Sequence, residues 1–437
     1  MASQENTITN FLEKISKKLT VEVLYHVLQK LSTEENVTFD GITQHDEKIY
    51  SDSFSTCIYH FKINGIVVEE TGNKRSISFP VVVKGLPSDP TRRKIFRSTD
   101  FFENEINFYT KVWPKLLHFQ KSKDAVVFDK IPRCLLASLC DGKNDFIILE
   151  DVTPFDYKLL ERNYCLDIDH CMLIIKLFAD FHSVSFAFKN QHPKEYNDMV
   201  ANLKENYFSD RLRPWYRKFL KKVWAVWTHA LEKEMPNTIY ERKFEILMKN
   251  DFYGQIIRLV KIKGKYSVVC QGEALLSKFL FKYNENIPES AYLMDFQHAR
   301  NSSLIIDLAV FLFVCVGYSV RTVHWDELLT EYHKTFTTNL QKFGTDPSIF
   351  SYRDFLNEFL KYGKFGLGKG IEAIPLSLMN DYTDENNPDA IEEGEHEDIS
   401  SIWKVKIFES QAHTLRLADT VKDMVDRGFL EQHIFSE

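Results

Sequence analysis

The chain has 437 residues, 44% of them apolar and 27% charged, with only 16 Gly and 13 Pro. That balance excludes collagen-like, low-complexity and disordered chains and leaves about two or three folding units, or one bilobed enzyme-sized body. A formal charge of −7 also weighs against a nucleic-acid partner, which calls for a basic excess or stripe.

The acidity is local. Residues 381–398, DYTDENNPDAIEEGEHED, hold nine acids and no Lys or Arg, and without them 53 acids face 55 bases. Such a run is first a solvated surface loop; its functional reading is recruitment of a basic protein partner. The seven cysteines (Cys57, Cys134, Cys140, Cys165, Cys171, Cys270, Cys315) are an odd set with no C-x-x-C pair. They fit reduced thiols in a cytoplasmic protein better than disulfides or a zinc site. No apolar segment marks the N-terminus as a secretory signal, and Leu304–Val316, the most apolar stretch, is too short for a membrane span and carries Asp307. Neither a membrane nor a nucleic-acid partner is expected.

Helical spacing in LTVEVLYHVLQKL dominates the first ~40 residues. From about Val37 to Leu86 the period falls to two: SFSTCIYHFKI, GIVVEE and SISFPVVVKGL are strand runs, with TGNKR as a hairpin turn. Ser98–Phe119 is again helical, with Ser98 or Thr99 as N-cap, and strands follow near Arg133–Ala137 and Phe146–Glu150. After Asp151 the pattern is mainly helical over Asp167–Phe188, Arg213–Lys233, Ser302–Ser319, Trp325–Phe343 and Tyr352–Gly366. Three short apolar runs, YSVVC, KFLFKY and AYLMDF, interrupt it. The expected architecture is a β-rich part over residues 1–150 and a helical part over 151–437.

Several residues along this path could carry chemistry. Lys84 follows three valines on a strand, so it faces either solvent or a cleft where its charge is paired, and Glu105 on the next helix could pair it. A strand lysine held by a helix glutamate is one way to fix a cation over nucleotide phosphates. FIILEDV ends a buried strand; in a two-lobed nucleotide binder it would be the hinge, with backbone groups of Glu150 and Val152 on adenine. Asp295 ends a short strand, where a carboxylate could hold Mg²⁺. Asp307 stands in an apolar helix start, where it needs backbone N–H partners. His182, on an apolar helix, reads as a satisfied core histidine. The sequence has no H-E-x-x-H, G-x-S-x-G or G-x-x-x-x-G-K-[ST] motif.

The order of FSTCIYHFKI, VVVKGLPSD, ENEINFYTKVWPKL, FIILEDV, FADFHSVSFAF, LMDFQHARNSSLIIDLAVFL and LKYGKFGLGKG resembles the ecdysteroid kinase-like (CHK kinase-like) family, relatives of choline and aminoglycoside kinases. The resemblance runs from about Val37 to Gly428. It implies an α+β, bilobed protein-kinase-like fold that transfers the γ-phosphate of ATP to a hydroxyl of a small molecule such as an ecdysteroid. It makes Lys84 the phosphate-binding lysine, Glu105 its partner, Asp295 the Mg²⁺ ligand and Asp307 the acid bracing the catalytic loop.

One motif departs. The family's loop reads like H-G-D-x-W-x-x-N; here it is QGEALLSK. Gln271 stands for the His, Glu273 for the base Asp, Leu275 for the Trp and Lys278 for the metal-binding Asn, with only Gly272 kept. A glutamate moves the carboxylate one methylene outward, and a base misplaced by ~1 Å can lose ~10²-fold in rate. Lys278 removes an oxygen ligand and puts a positive charge where the ion belongs, although an ammonium can also touch phosphate directly. Gln271 lacks the bracing imidazole, and EKIYSDSFSTC offers serines where a glycine would let the backbone approach phosphate. The expectation is a catalytically weak or inactive pseudokinase that keeps a ligand cleft. The alternative is an active kinase of a steroid-like or other small molecule, using ATP and Mg²⁺ with Glu273 as base. Trp215, Tyr216, Trp224, Trp227, Phe313 and Tyr318 are candidates to wall its pocket, or ordinary core.

Overall fold

The structure is a computed structural model that describes residues 2–32, 34, 36–44, 55–70, 72–161, 165–379, 399–401 and 405–431. The acidic run 381–398, and all but the last three residues of EKIYSDSFSTC, lie outside the described residues.

Five strands, β1 (Val37–Gln44), β2 (Cys57–Val68), β3 (Lys74–Gly85), β4 (Cys134–Ser138) and β5 (Phe146–Glu150), form one antiparallel sheet in the order β1-β2-β3-β5-β4. The period of two in VVVKG sorts its side chains by face. Val81 and Val83 are buried with Phe61, Ile63 and Ile148 under helices Ala2–Ile15 and Val21–Ser32. Val82 packs on the opposite side against the larger core, and Lys84 shares that side because it lies two residues on. The helix segments between Ser98 and Ser122 cover this second face, with Phe102, Ile106, Phe108 and Leu116 in the larger core.

That core continues into the helical part. Its hub is Ile168–Gln191, whose apolar residues run all round because it is enclosed, with Tyr318–Lys342 alongside. Two short antiparallel ribbons lie beneath the sheet: β6 (Ser267–Cys270) with β9 (Arg300–Ser303), and β7 (Phe279–Asn284) with β8 (Ile287–Leu293). Together these form an α+β, two-lobed, kinase-like architecture.

Local differences from the sequence expectations have physical causes. The runs CIYHFKI and GIVV are one strand, with Gly65 inside it where helix Val21–Ser32 crosses closest. A Cβ there would lie 2.7 Å from Leu28 Cδ2 and 3.1 Å from the Thr38 carbonyl oxygen. The expected helix from Ser98 is capped by Arg97, in the left-handed region at φ 53°, rather than by Ser98 or Thr99. It also widens to a π turn over Phe108–Val112, where the Trp113 N–H reaches back to Phe108 just before Pro114, which has no N–H to give. Ser302–Ser319 is not one helix: Ser302 and Ser303 pair with β6, and the helix starts at Ile305. Tyr352–Gly366 likewise divides, into Tyr352–Tyr362 and the start of Phe365–Leu378.

Filling the Gly65 gap tests this packing. Gly65→Val should lower the unfolding free energy by about 1–3 kcal/mol in urea denaturation; a loss below about 0.5 kcal/mol would contradict the contact.

Candidate ligand cleft

Lys84 enters the space between the sheet and the β6–β9 segment with its ammonium on Glu105, at 2.7 Å from Oε1 and 2.9 Å from Oε2. Glu105 is fully buried on Ser98–Asn107. That helix is pinned to the helical lobe. The Asn104 side-chain amide donates to the carbonyls of Gln297 (3.0 Å) and Ala299 (2.8 Å), and its oxygen accepts the Lys204 N–H at 3.0 Å. The Asn206 amide donates to the Asp100 carbonyl at 2.7 Å.

Asp295 caps the end of β8 in the left-handed region, at φ 63°. One of its carboxylate oxygens lies 3.2 Å from Lys84 Nζ, and the other carries the Lys278 ammonium. Burial by itself would raise the Asp295 carboxyl, but Lys278 and Lys84 outweigh it and hold it down at about 2. For Lys84, burial disfavours the ammonium, yet Asp295 and Glu105 lift it above the ordinary lysine range. Lys278 is lifted in the same way by Asp295 and Glu273 against its burial.

The loop Gln271–Lys278 hangs from Asp307. Asp307 is completely buried and accepts the backbone N–H groups of Gln271 (2.7 Å) and Gly272 (2.8 Å). His182, buried as a core histidine, contacts Asp307 at 3.1 Å and the Tyr332 hydroxyl at 2.8 Å. Gly272 sits at φ 88°, and a Cβ on it would lie 1.9 Å from the His298 carbonyl oxygen, so the turn tolerates no side chain. The expected loss of bracing at Gln271 does not occur. Its amide donates to the Asp295 carbonyl at 2.7 Å, and its oxygen accepts the Glu273 N–H at 2.7 Å. An uncharged amide thus ties the loop to the strand end.

Glu273 has both carboxylate oxygens engaged. Lys369 lies 2.7 Å from Oε1, and Lys278 (3.3 Å) and His298 (3.5 Å) lie near Oε2. Burial pushes the Glu273 carboxyl up and its neighbours pull it well below the usual range. Burial also drives His298 down to about 3, and an imidazole uncharged at neutral pH leaves the Lys369 and Lys278 ammonium groups as the charges beside Glu273 there. Lys369 is shared with Glu372 at 2.7 Å, and Glu372 in turn accepts the hydroxyls of Tyr207 (2.5 Å) and Tyr216 (2.9 Å). The result is one line of alternating charge, Lys84–Asp295–Lys278–Glu273–Lys369–Glu372.

A cavity of about 230 Å³ opens beside this line. Asp295, Lys278, Glu273 and Lys369 edge it, while Phe101, Trp215, Phe219, Leu275 and Leu376 are among its apolar lining. Of the aromatic candidates only Trp215 lines it. Tyr216 sits behind Glu372, the Trp227 indole donates to the Ile371 carbonyl, and Phe313 packs on Trp325 and Phe429. Trp224 and Tyr318 are not in its lining either. Glu150 and Val152 lie at the hinge, away from this cavity. The Glu150 N–H is taken by the Arg133 carbonyl and the Val152 carbonyl by the Phe155 N–H.

Sequence reasoning missed Lys369, Glu372, Tyr207 and His298. The available signal was a lysine and a glutamate three residues apart in FGLGKGIEAIPL, an otherwise apolar helix whose charged side chains must be buried together.

The residues around this cavity do not fit Mg²⁺. Asp295 is saturated by two ammonium groups, and position 278 supplies a cation instead of an oxygen.

His298, only 9% exposed at its side chain, carries a pH signature. Unfolded, it titrates near 6.5; folded, at about 3, so below pH 6.5 the unfolded state binds the extra proton and stability falls until about pH 3. This adds up to about 1.4 kcal/mol of destabilisation per pH unit in that window. His298→Phe should flatten that limb in urea denaturation between pH 6.5 and 4; an unchanged slope would mean that His298 titrates normally.

Comparison with known proteins follows this geometry. No curated protein matches the chain. Among solved structures, an ethanolamine kinase of Plasmodium vivax is similar at 12% identity, covering 98% of this chain and 96% of the other with a TM-score of 0.40. The GDP complex of wild-type aminoglycoside 2'-phosphotransferase-IIIa is similar at 14% identity, covering 81% and 97% with a TM-score of 0.34. The sequence profile of the Ecdysteroid kinase-like family matches residues 51–345, two thirds of the chain. The chain belongs to the ecdysteroid kinase-like family.

Proposed function

We propose that this member of the ecdysteroid kinase-like family is a pseudokinase of the small-molecule type. It retains a cleft for an apolar, hydroxyl-bearing ligand of steroid-like character and has lost efficient phosphotransfer. The observation that carries this reading is the Lys278 ammonium seated on Asp295.

Phosphotransfer to a hydroxyl asks two things of these positions: a carboxylate free to take the hydroxyl proton, and charge compensation for the transferring phosphate. Glu273 meets the first poorly. Its two oxygens are held by Lys369 and Lys278, and a carboxylate held well below its usual pKa is a weak base. Asp295 meets the second poorly, since both of its oxygens are already paired inside the protein. Lys84 and Glu105 keep the arrangement that would position a nucleotide phosphate, which supports ligand binding without turnover.

The second reading is an active ATP-dependent phosphotransferase, favoured by the ionised Glu273 at the cavity edge. Turnover separates the two. With ATP, Mg²⁺ and a panel of hydroxylated apolar acceptors, the wild-type chain should stay at the solvent background. Glu273→Asp with Lys278→Asn should raise the rate at least tenfold. Wild-type turnover near the ~1–10³ s⁻¹ of ordinary enzymes would overturn the pseudokinase reading, and no gain in the double variant would show that the loop is not what limits activity.

A further inference from the structure

The position of one ammonium group has a consequence for metal chemistry. Lys278 Nζ contacts a carboxylate oxygen of Asp295 and lies 3.3 Å from Glu273 Oε2, so it occupies the point between two carboxylates of different chain segments. That is the point a divalent cation bridging those carboxylates would take. Both carboxylates are themselves fixed. Asp295 is held at its backbone by Gln271 and on its other oxygen by Lys84, while Glu273 is held on its other oxygen by Lys369.

Charge counting points the same way. Along the line, Lys84, Lys278 and Lys369 face Glu105, Asp295, Glu273 and Glu372, a formal sum of −1. Near-neutrality gives a divalent ion little to compensate, and the ion would have to displace a tethered ammonium that loses no translational freedom when it binds. Deleting the Lys278 charge changes the sum to −2, the charge that one divalent ion neutralises. Each carboxylate would still keep one lysine partner, so the cluster would not be left with a bare buried charge.

We infer that Lys278 is the resident cation of this cleft, a built-in replacement that excludes divalent metal and masks a latent metal site formed by Asp295 and Glu273. This inference rests on the reading of the chain as a pseudokinase, but it concerns metal affinity and needs neither nucleotide nor acceptor. The Lys278 side chain is therefore the specificity determinant for metal at this site, and the surrounding carboxylates are poised for an ion they do not receive.

The test is Mn²⁺ binding to the full chain, followed by electron paramagnetic resonance and calorimetry with no other ligand present. Wild type should bind no Mn²⁺ at an Asp295-dependent site in the low millimolar range. Lys278→Ala and Lys278→Asn should each gain one Mn²⁺, with a Kd at least tenfold below that millimolar range, and Asp295→Asn added to either should abolish it. Two results overturn the inference: wild type binding Mn²⁺ at a site lost in Asp295→Asn, or folded Lys278→Ala and Lys278→Asn both failing to gain an ion. The wild-type arm decides even where a variant does not fold. Because no turnover is measured, the latent site can fail while the chain proves inactive, and the pseudokinase reading can fail while the latent site holds.

Discussion

Lys278 brings a positive charge to a place where the chain already holds two partly buried carboxylates, and the surrounding cleft is organised around it. Taking ions out of water costs several kcal/mol each, recovered only where every charge meets an opposite one with good geometry. The line from Lys84 to Glu372 meets that condition by alternation, each inner member touching a neighbour of opposite sign on both sides. Removing one inner member leaves each neighbour with a single partner in place of two, which makes the line a unit rather than a set of pairs. The same pairing occupies both oxygens of Asp295 and of Glu273. On the pseudokinase reading proposed above, stability and inactivity share this one cause.

The scaffold holds this line in place through strand period, helix pinning and loop bracing. Strand periodicity puts Lys84 on the face opposite Val81 and Val83, and the helix bearing Glu105 is pinned through Asn104 to the segment just after Asp295. Asp307 ties the loop to the core through two backbone N–H groups, with His182 and Tyr332 behind it. Gln271 joins the loop to the strand end with an uncharged amide. A family loop with its bases and ligands replaced thus keeps its shape, because the shape depends on backbone donors and on Gly272.

Legibility in the sequence followed locality. The strands of the sheet and the hub helix were readable because period two and period 3.6 are local signals, and Lys84, Glu105, Asp295 and Asp307 stood out as charges beside apolar runs. The family resemblance aligned them. What stayed hidden depends on contacts between distant segments: Lys369 reaches Glu273 across almost a hundred residues, and the bracing by Gln271 becomes visible only with Asp295 beside it. Helix boundaries failed where another element intervened, as when β6 claims Ser302 and Ser303. Of the aromatic candidates only Trp215 lines the cavity, because six residues of one chemical type do not say which side of a helix meets it.

The central claim is that the Lys278 ammonium is held between Asp295 and Glu273. Nitrogen-15 NMR of lysine ammonium groups, with Lys278→Arg to assign the signal, tests it most directly. The account predicts a Lys278 ammonium resonance protected from solvent exchange at neutral pH and still protonated above the ordinary lysine range. A Lys278 signal that exchanges as fast as surface lysines and titrates as they do would contradict it.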